Sequence, residues 1–203
     1  MCNGCIYAHE AAAAASEKDK CPFCRSLAHE SDEEGIQRLK RRIKVNEDAE
    51  AMCLLGGYFQ TGENWLPQDS SKAMELLHKA AKLGNHDAHY NLGVAYYKGD
   101  IVGKDTKKAR YHYHVAAMGG FASARQNIGV EEMNKGNMER AYKHLMISAN
   151  AGYDLSMKTV QDGYKHGFVT KDDFAKTIRA YGSSVDETKS EQRNRALVHG
   201  NIG

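Results

Sequence analysis

The sequence predicts an all-α protein, an α-solenoid of helix-pair repeats preceded by a small zinc-finger-like segment. Three observations predict this fold. The 203-residue chain has only two prolines and is rich in Ala, Lys and Glu, which favour helices. Two kinds of segment recur in alternation along most of its length, as in repeat proteins. Two Cys-x-x-Cys pairs stand near its beginning, as in small zinc sites.

Composition and charge narrow the range of partners. Hydrophobic residues make up 41% of the chain and charged residues 27%, which is typical of a folded, soluble domain. No run approaches the roughly 18 apolar residues of a membrane-spanning helix, and the N-terminus lacks a signal-peptide pattern. The formal net charge of +2 does not indicate nucleic acid binding. We therefore expect a cytoplasmic or nuclear protein whose partners include neither membrane nor nucleic acid.

The first segment, residues 1–28, has the cysteine spacing of a structural zinc site. The spacing C-x2-C-x15-C-x2-C places two thiolates on each of two tight turns, and zinc prefers four such ligands in a tetrahedron. Four thiolates leave no open position on the metal, so catalysis by this zinc is not expected. The alternative is that the thiols are free or form a redox-labile pair. The four predicted ligands are Cys2, Cys5, Cys21 and Cys24.

The same segment resembles the second half of a RING finger. Cys2 and Cys5 match its third ligand pair, and the C-P-x-C-R ending that includes Pro22 and Arg25 matches its fourth. The resemblance implies that the two pairs serve different zinc ions and that the first two pairs are missing. Either Met1 is an internal methionine of a longer protein, or the finger has decayed into one four-cysteine knuckle. We favour the first interpretation, because a ligand cysteine next to the start leaves no room for packing on that side.

Residues 29–47 are predicted to form a helix that caps the solenoid. Ser31 and Glu34 have the spacing of a capping box. Ile36, Leu39 and Ile43 form an apolar stripe that suits the open face of the first repeat, since the ends of solenoids need covering. The helix also carries several basic residues. We interpret them as a solvated face rather than as a nuclear-targeting or nucleic-acid-binding element.

Residues 48–181 contain the repeat. In three similar segments a glycine follows Leu, Leu or Ile, with steps of 37 and 36 residues between successive copies. These marker glycines are Gly56, Gly93 and Gly129. A second kind of segment follows each of them and also ends at a glycine. The predicted units span residues 48–84, 85–120, 121–152 and 153–181.

Each unit is predicted to form a pair of antiparallel helices. In the second unit, the small and apolar residues of each segment share one face at helical periodicity. These residues are Ala88, Leu92, Ala95 and Tyr96, then Ala109, Tyr113, Ala116 and Ala117. Glycines at the segment ends predict left-handed helix caps. The predicted caps are Gly62 and Gly99 for first helices, and Gly84, Gly120 and Gly152 for second helices. Cys53 is expected to be a small core residue.

The motif A-x4-G-x2-Y-x2-G, followed by K-A and then A-A-x2-G, resembles the Sel1-like repeat, a relative of the tetratricopeptide repeat. The second unit matches it best. The third unit departs at Glu132, where an aromatic residue is usual, and the fourth has Gln161 in place of its marker glycine. The resemblance implies an adaptor that gathers protein partners on the concave face of the solenoid. Residues 182–203 are predicted to form a C-terminal helix after a break at Gly182, with a frayed tail.

Other candidate sites are weaker. His86 and His89 have the spacing of a metal chelate, but no third ligand is evident nearby. His112 and His114 are two residues apart and point to different faces of one helix. No phosphate loop, nucleophile elbow or catalytic carboxylate pair is found, so no catalytic residue is predicted. The sequence thus predicts a non-catalytic protein-protein interaction scaffold. The alternative is a RING-type ubiquitin ligase with a truncated finger, whose partner would be a ubiquitin-conjugating enzyme.

Metal analysis of the purified chain tests the cysteine segment. We expect bound zinc, and its absence would contradict both interpretations of the finger. In an autoubiquitination assay with a panel of conjugating enzymes we expect no activity, because half of the RING ligands are missing. Activity that is abolished by Cys21→Ser would instead support the ligase alternative.

Overall fold

The protein was analysed as a computed structural model that describes the backbone of residues 32–62 and 66–200 and the side chains of residues 33–62 and 66–189. These ranges contain nine α-helices and no strand, which confirms the predicted all-α fold for this part of the chain. The helices are α1 (Asp32–Asn46), α2 (Ala49–Thr61), α3 (Ser70–Lys82), α4 (His86–Lys98), α5 (Thr106–Met118), α6 (Ala122–Asn134), α7 (Met138–Asn150), α8 (Asp154–Lys165) and α9 (Lys171–Gly200).

The helices are arranged as stacked pairs. Within repeats, α2 packs on α3, α4 on α5 and α6 on α7. Successive repeats meet through α3 and α4, α5 and α6, and α7 and α8. Each contact joins helices that follow one another in the chain, with short connections, as expected for antiparallel neighbours in an α-solenoid. We call α2, α4, α6 and α8 the first helices, and α3, α5 and α7 the second helices.

The marker glycines lie where the two helices of a repeat come closest. A Cβ atom at Gly93 would lie 2.6 Å from Cδ1 of Tyr113, and one at Gly129 would lie 2.8 Å from Cγ of Leu145. At Gly56 the corresponding distance to Cγ of Leu77 is 3.1 Å. A larger residue at these positions would therefore push the helices apart. The marker glycine is therefore found in each of these three repeats because the same close packing of two helices is found in each.

Local capping signals fix the helix ends. The side chains of Asp48, Asp69, Asn85 and Asp105 each accept a hydrogen bond from a backbone N–H in the first turn that follows. At the end of α4, Gly99 has a φ of 78°, and a Cβ atom there would lie 2.7 Å from Cβ of Lys104. All five predicted glycine caps have positive φ values and are confirmed.

Helix α1 covers the first repeat as predicted. Ile36 and Leu39 are buried in a cluster with α2 and α3 residues, and Ile43 packs at its edge. One of the basic residues is not simply solvated, because the Arg42 guanidinium contacts the Asp48 carboxylate at 2.7 Å and the Glu50 carboxylate at 3.1 Å. The Arg42 side chain is 38% exposed, so it joins α1 to the start of α2 from a position that is still partly solvated.

The last repeat differs from the others. Gln161, at the marker position, is exposed, and Gly163 instead packs against the ring of Tyr142 in the preceding repeat. Its second helix, α9, begins with Thr170, whose hydroxyl accepts a hydrogen bond from the backbone N–H of Asp173, as the predicted cap requires. Helix α9 also packs on α7 as well as on α8.

The predicted break at Gly182 is wrong, because α9 continues through it to Gly200. A single glycine costs a helix only about 1 kcal/mol relative to alanine. Residues around it are held by tertiary contacts: Tyr181 donates a hydrogen bond to Asp154 at 2.5 Å, and Ser184 lies against Gly152. These contacts offset the weak propensity.

The packing role of the marker glycine can be tested by Gly93→Ala. We expect the added methyl group to destabilise the protein by about 1–3 kcal/mol, because it overlaps the ring of buried Tyr113. Gly57→Ala is a matched control, since this helical glycine has open space around its Cβ position and alanine there should stabilise α2 by up to about 1 kcal/mol. Urea unfolding monitored by far-ultraviolet circular dichroism measures both changes. Equal effects of the two substitutions would contradict the role assigned to the marker.

Candidate functional site

The predicted zinc ligands Cys2, Cys5, Cys21 and Cys24 lie outside the described residues, and the zinc site stays a prediction. Across residues 33–62 and 66–189, no group of three or more His, Cys, Asp or Glu side chains is placed to hold a metal ion. Among the described helices, none is both long and apolar enough to cross a membrane. The predicted core residue Cys53 is buried, and burial raises the pKa of its thiol to about 11.

The first helices present one recurring surface. The sixth residue of α2, α4 and α6 is Leu54, Asn91 and Asn127, and Leu54 is 43% exposed while the two asparagines are half-buried. Half-buried Val94 and Val130 follow three residues after the asparagines, on the same side of their helices. We call these five residues the first-helix face.

Asn91 of this face and its neighbour Tyr90 are held by contacts between successive repeats. Asn91 donates a hydrogen bond through its amide nitrogen to Sγ of Cys53, at 3.6 Å, which joins two successive first helices. The Tyr90 ring stacks on that of Phe121 at the start of the next repeat, with centroids 5.9 Å apart. The amide and apolar groups of the face are therefore carried on packed helices rather than on loops.

A second candidate site is a cluster of three histidines where the first and second repeats meet. His78 comes from α3, His89 from α4 and His112 from α5. The Nδ1 atoms of His89 and His112 lie 2.9 Å apart, and the two rings have centroids 5.1 Å apart. The ring centroid of His78 lies 6.1 Å from that of His112. We call these three residues the histidine cluster.

Two tyrosines border the histidine cluster. The hydroxyl of Tyr96 lies 3.2 Å from Nε2 of His78, and its ring stacks on that of His112 with an interplanar angle of 8°. The ring of Tyr111 meets His112 edge-on, with centroids 5.2 Å apart, and is 61% exposed. Tyr96 thus helps to enclose the cluster, while Tyr111 is its member on the solvent side.

Burial keeps the histidine cluster uncharged. Loss of solvent, which has the largest effect, and the neighbouring His89, His78 and Lys108 together lower the pKa of His112 to about 4. Burial also lowers the pKa of His78 and that of His89. A hydrogen bond to the Ala81 backbone raises the pKa of His89, but by less than burial lowers it. A cation at this site is unfavourable because no carboxylate is among the groups that shift these pKa values.

An ion pair between half-buried Arg110 and buried Glu132 joins the second and third repeats. Glu132 is nearly inaccessible, and its carboxylate accepts a hydrogen bond from Arg110 at 2.7 Å and one from Asn137 at 2.9 Å. The Asn137 contact lowers the pKa of Glu132 most, opposed by burial, and Arg110 and Lys135 lower it further. Glu132 therefore replaces the usual aromatic residue with a charge that its neighbours compensate.

A neutral hydrogen-bonded trio joins the third and fourth repeats. The Ser148 hydroxyl donates to the backbone carbonyl of Ala122 at 2.7 Å, and the Ser156 hydroxyl contacts Ser148 at 2.7 Å and the amide of Gln126. All three side chains of the trio, Gln126, Ser148 and Ser156, are buried. Their polar groups are therefore satisfied inside the protein.

Sequence reasoning missed most of these polar contacts. Of the proposed pair, His86 is exposed and His89 is buried against His112, so the two do not act together. His112 and His114 do reach different neighbours, as predicted, because His114 meets His144 of the third repeat with ring centroids 6.3 Å apart. The departure at Glu132 was visible in the sequence, but its partner Arg110 was not.

Comparison with known proteins identifies the repeats. Residues 49–85 and 86–121 each match the family model for the Sel1 repeat. Residues 49–121 therefore carry two Sel1 repeats, as the resemblance of their motifs predicted, and the all-α solenoid fold matches that of a solved Sel1 repeat protein. The family match begins at residue 49, so it bears on the repeats and not on the RING-like segment.

Among curated proteins, the chain is similar to one from Xenopus tropicalis named "Cytochrome c oxidase assembly factor 7", with 32% identity over 101 residues. The match covers 47% of this chain and 44% of the frog protein, so the chain matches less than half of that protein's length.

Two solved structures share the fold. The protective antigen c5321 of uropathogenic Escherichia coli, which has an SLR fold, gives a TM-score of 0.62 and 28% identity, over 75% of this chain and 33% of that one. A Sel1 repeat protein from Oxalobacter formigenes gives a TM-score of 0.68 and 22% identity, over 91% of this chain and 70% of that one.

The ion pair of Arg110 with Glu132 can be tested by Arg110→Ala. We expect a loss of about 1–3 kcal/mol of unfolding free energy, because Glu132 stays buried while its strongest cationic contact is removed. Lys143→Ala is the control, since its pair with Glu139 is exposed and should contribute less than about 0.5 kcal/mol. Chemical unfolding at neutral pH measures both. An Arg110→Ala effect no larger than that of the control would show that Glu132 does not depend on Arg110.

Proposed function

We propose that the protein is a non-catalytic scaffold that binds protein partners through its first-helix face. The observation that carries the proposal is the row of Leu54, Asn91 and Asn127 at equivalent positions of three first helices. No candidate catalytic group accompanies this row in the part of the chain that the structure describes. Sel1 repeats support the same function, since proteins built from them generally bind protein partners.

The chemistry of the row suits an extended peptide. An asparagine amide both donates and accepts hydrogen bonds, so it can pair with the N–H and C=O groups of a peptide backbone. An extended chain offers such groups at every residue, so Asn91 and Asn127 can each contact the backbone of one peptide that lies across both repeats. Leu54, Val94 and Val130 supply apolar contacts beside them.

The relatives agree with binding rather than catalysis. The frog protein is named as an assembly factor, which describes a role in putting a complex together. We propose for this chain only the general part of that role, the holding of protein partners.

Structural zinc at Cys2, Cys5, Cys21 and Cys24 is a separate proposal. Its support is the C-x2-C-x15-C-x2-C spacing alone. We also propose, from the sequence alone, contact with a ubiquitin-conjugating enzyme and a cytoplasmic or nuclear location. None of them is needed for the first-helix face to bind a partner.

The binding proposal can be tested with peptides selected from a phage-displayed library of random 12-residue sequences. We expect Asn91→Ala combined with Asn127→Ala to weaken binding of the selected peptides at least tenfold, measured by fluorescence anisotropy, because two backbone-pairing amides are lost. Asn150→Ala is the matched control, since this exposed asparagine lies at the end of the second helix α7. Unchanged affinity in the double variant, with normal circular dichroism, would refute the proposed site.

A further inference from the structure

The three contacts between successive repeats differ in the chemistry of their buried polar groups. The first joint, between repeats one and two, contains the histidine cluster. The second joint, between repeats two and three, contains the Arg110–Glu132 pair with His114 and His144. The third joint, between repeats three and four, contains the neutral trio of Gln126, Ser148 and Ser156.

The histidines of the first two joints form a row at repeating positions. In each case the ninth residue of one second helix contacts the seventh residue of the next second helix. His78 of α3 contacts His112 of α5, with ring centroids 6.1 Å apart. His114 of α5 contacts His144 of α7, with ring centroids 6.3 Å apart. In the third joint the ninth position is Met146, which packs in an apolar cluster that includes Phe174 of α9. The row of imidazoles thus ends before the third joint.

We infer that this row makes the solenoid sensitive to acid: acidification loosens the second repeat together with the first joint and, less readily, the second joint, while the third joint stays closed. This inference concerns the stacking of the repeats and does not depend on the proposed peptide binding.

The geometry of the first joint allows only one proton between His89 and His112. Their Nδ1 atoms face each other at 2.9 Å, so one ring donates an N–H and the other accepts with a lone pair. Protonation of the accepting ring would place two N–H donors face to face at that distance. The rings would have to separate, and with them α4 and α5, the two helices of the second repeat, of which α4 forms this joint with α3.

The surroundings of the cluster do not compensate an added charge. The groups that face it are His78 and Lys82 of α3, His86, His89 and Tyr96 of α4, and Lys108, Tyr111 and His112 of α5. The two lysines are cations, and none of these groups is a carboxylate. An imidazolium formed here would meet like charge in a site with little water, which is unfavourable.

The second joint accommodates a protonated histidine better than the first joint does, because carboxylates lie near its histidines. Burial lowers the pKa of His114 and of His144, and Arg110 and Arg125 lower both further. Glu132 opposes this for both histidines, and Glu131 does so for His114. The Nδ1 atom of His144 is also the one buried side-chain nitrogen or oxygen without a hydrogen-bond partner among the described residues. It can accept a proton without displacing an existing hydrogen bond.

The direction of the pH effect follows from proton binding. The pKa of His112 is about 4 in the folded protein, against about 6.5 for an ordinary histidine, so the opened joint binds more protons between these values. The stability of the joint is therefore complete above about pH 6.5 and falls as the pH decreases towards about 4. Moderate acid is enough to begin loosening it, while the trio of the third joint does not titrate in this range.

Hydrogen–deuterium exchange of the full chain, read by mass spectrometry at pH 7.5 and pH 5 and corrected for the intrinsic pH dependence of amide exchange, tests the inference. We expect protection of α4 and α5 to fall at least tenfold at pH 5, and protection of α7 and α8 to change less than threefold. His112→Asn keeps a nitrogen near the position of Nδ1 but cannot be protonated, so the ratio of protection between the two pH values should approach one. His166→Asn, at an exposed histidine on the last repeat, should behave as the wild type.

A second measurement does not require any variant to fold. In a histidine-detected NMR titration of the wild-type protein, the midpoint of His112 should lie more than one pH unit below about 6.5, the value of an ordinary histidine. A midpoint of His112 near 6.5 would overturn the inference. So would uniform loss of protection over all repeats at pH 5, or a pH response that His112→Asn leaves unchanged.

Discussion

The structure depends on the close approach of the two helices within each repeat. The marker glycines Gly56, Gly93 and Gly129 allow it, because the opposing side chains of Leu77, Tyr113 and Leu145 occupy the space that a Cβ atom would need. Small buried residues such as Ala88 and Ala116 let the backbones pack along the rest of the contact.

Positions outside this close contact are free to vary from one repeat to the next. The residue ten positions after the start of the first helix is Phe59 in repeat one, Tyr96 in repeat two and Glu132 in repeat three. Each of these three residues contacts a second helix. The same scaffold therefore accommodates an apolar contact, an aromatic contact with histidine and a compensated ion pair. Different joints of one solenoid can respond differently to the same change in solution.

Much of the fold was predictable because it is encoded locally. Helix ends follow from residues a few positions apart, as at Asp105 and Gly99, and the core faces follow from helical periodicity. The polar contacts were not predictable, because they join residues far apart in sequence, such as His78 with Tyr96 and Gln126 with Ser156, separated by 18 and 30 residues. The prediction at Gly182 was wrong for a related reason. The low helix propensity of glycine indicated a break, but tertiary contacts keep the helix continuous there.

Burial of Cys53 has a consequence for the thiol chemistry of the whole chain. A thiol whose pKa is about 11 is almost entirely protonated at neutral pH, and only the thiolate reacts readily with electrophiles and disulfides. Cys53 therefore contributes little to alkylation or oxidation while the protein is folded. Reaction of Cys53 with an alkylating reagent therefore marks opening of the first repeat.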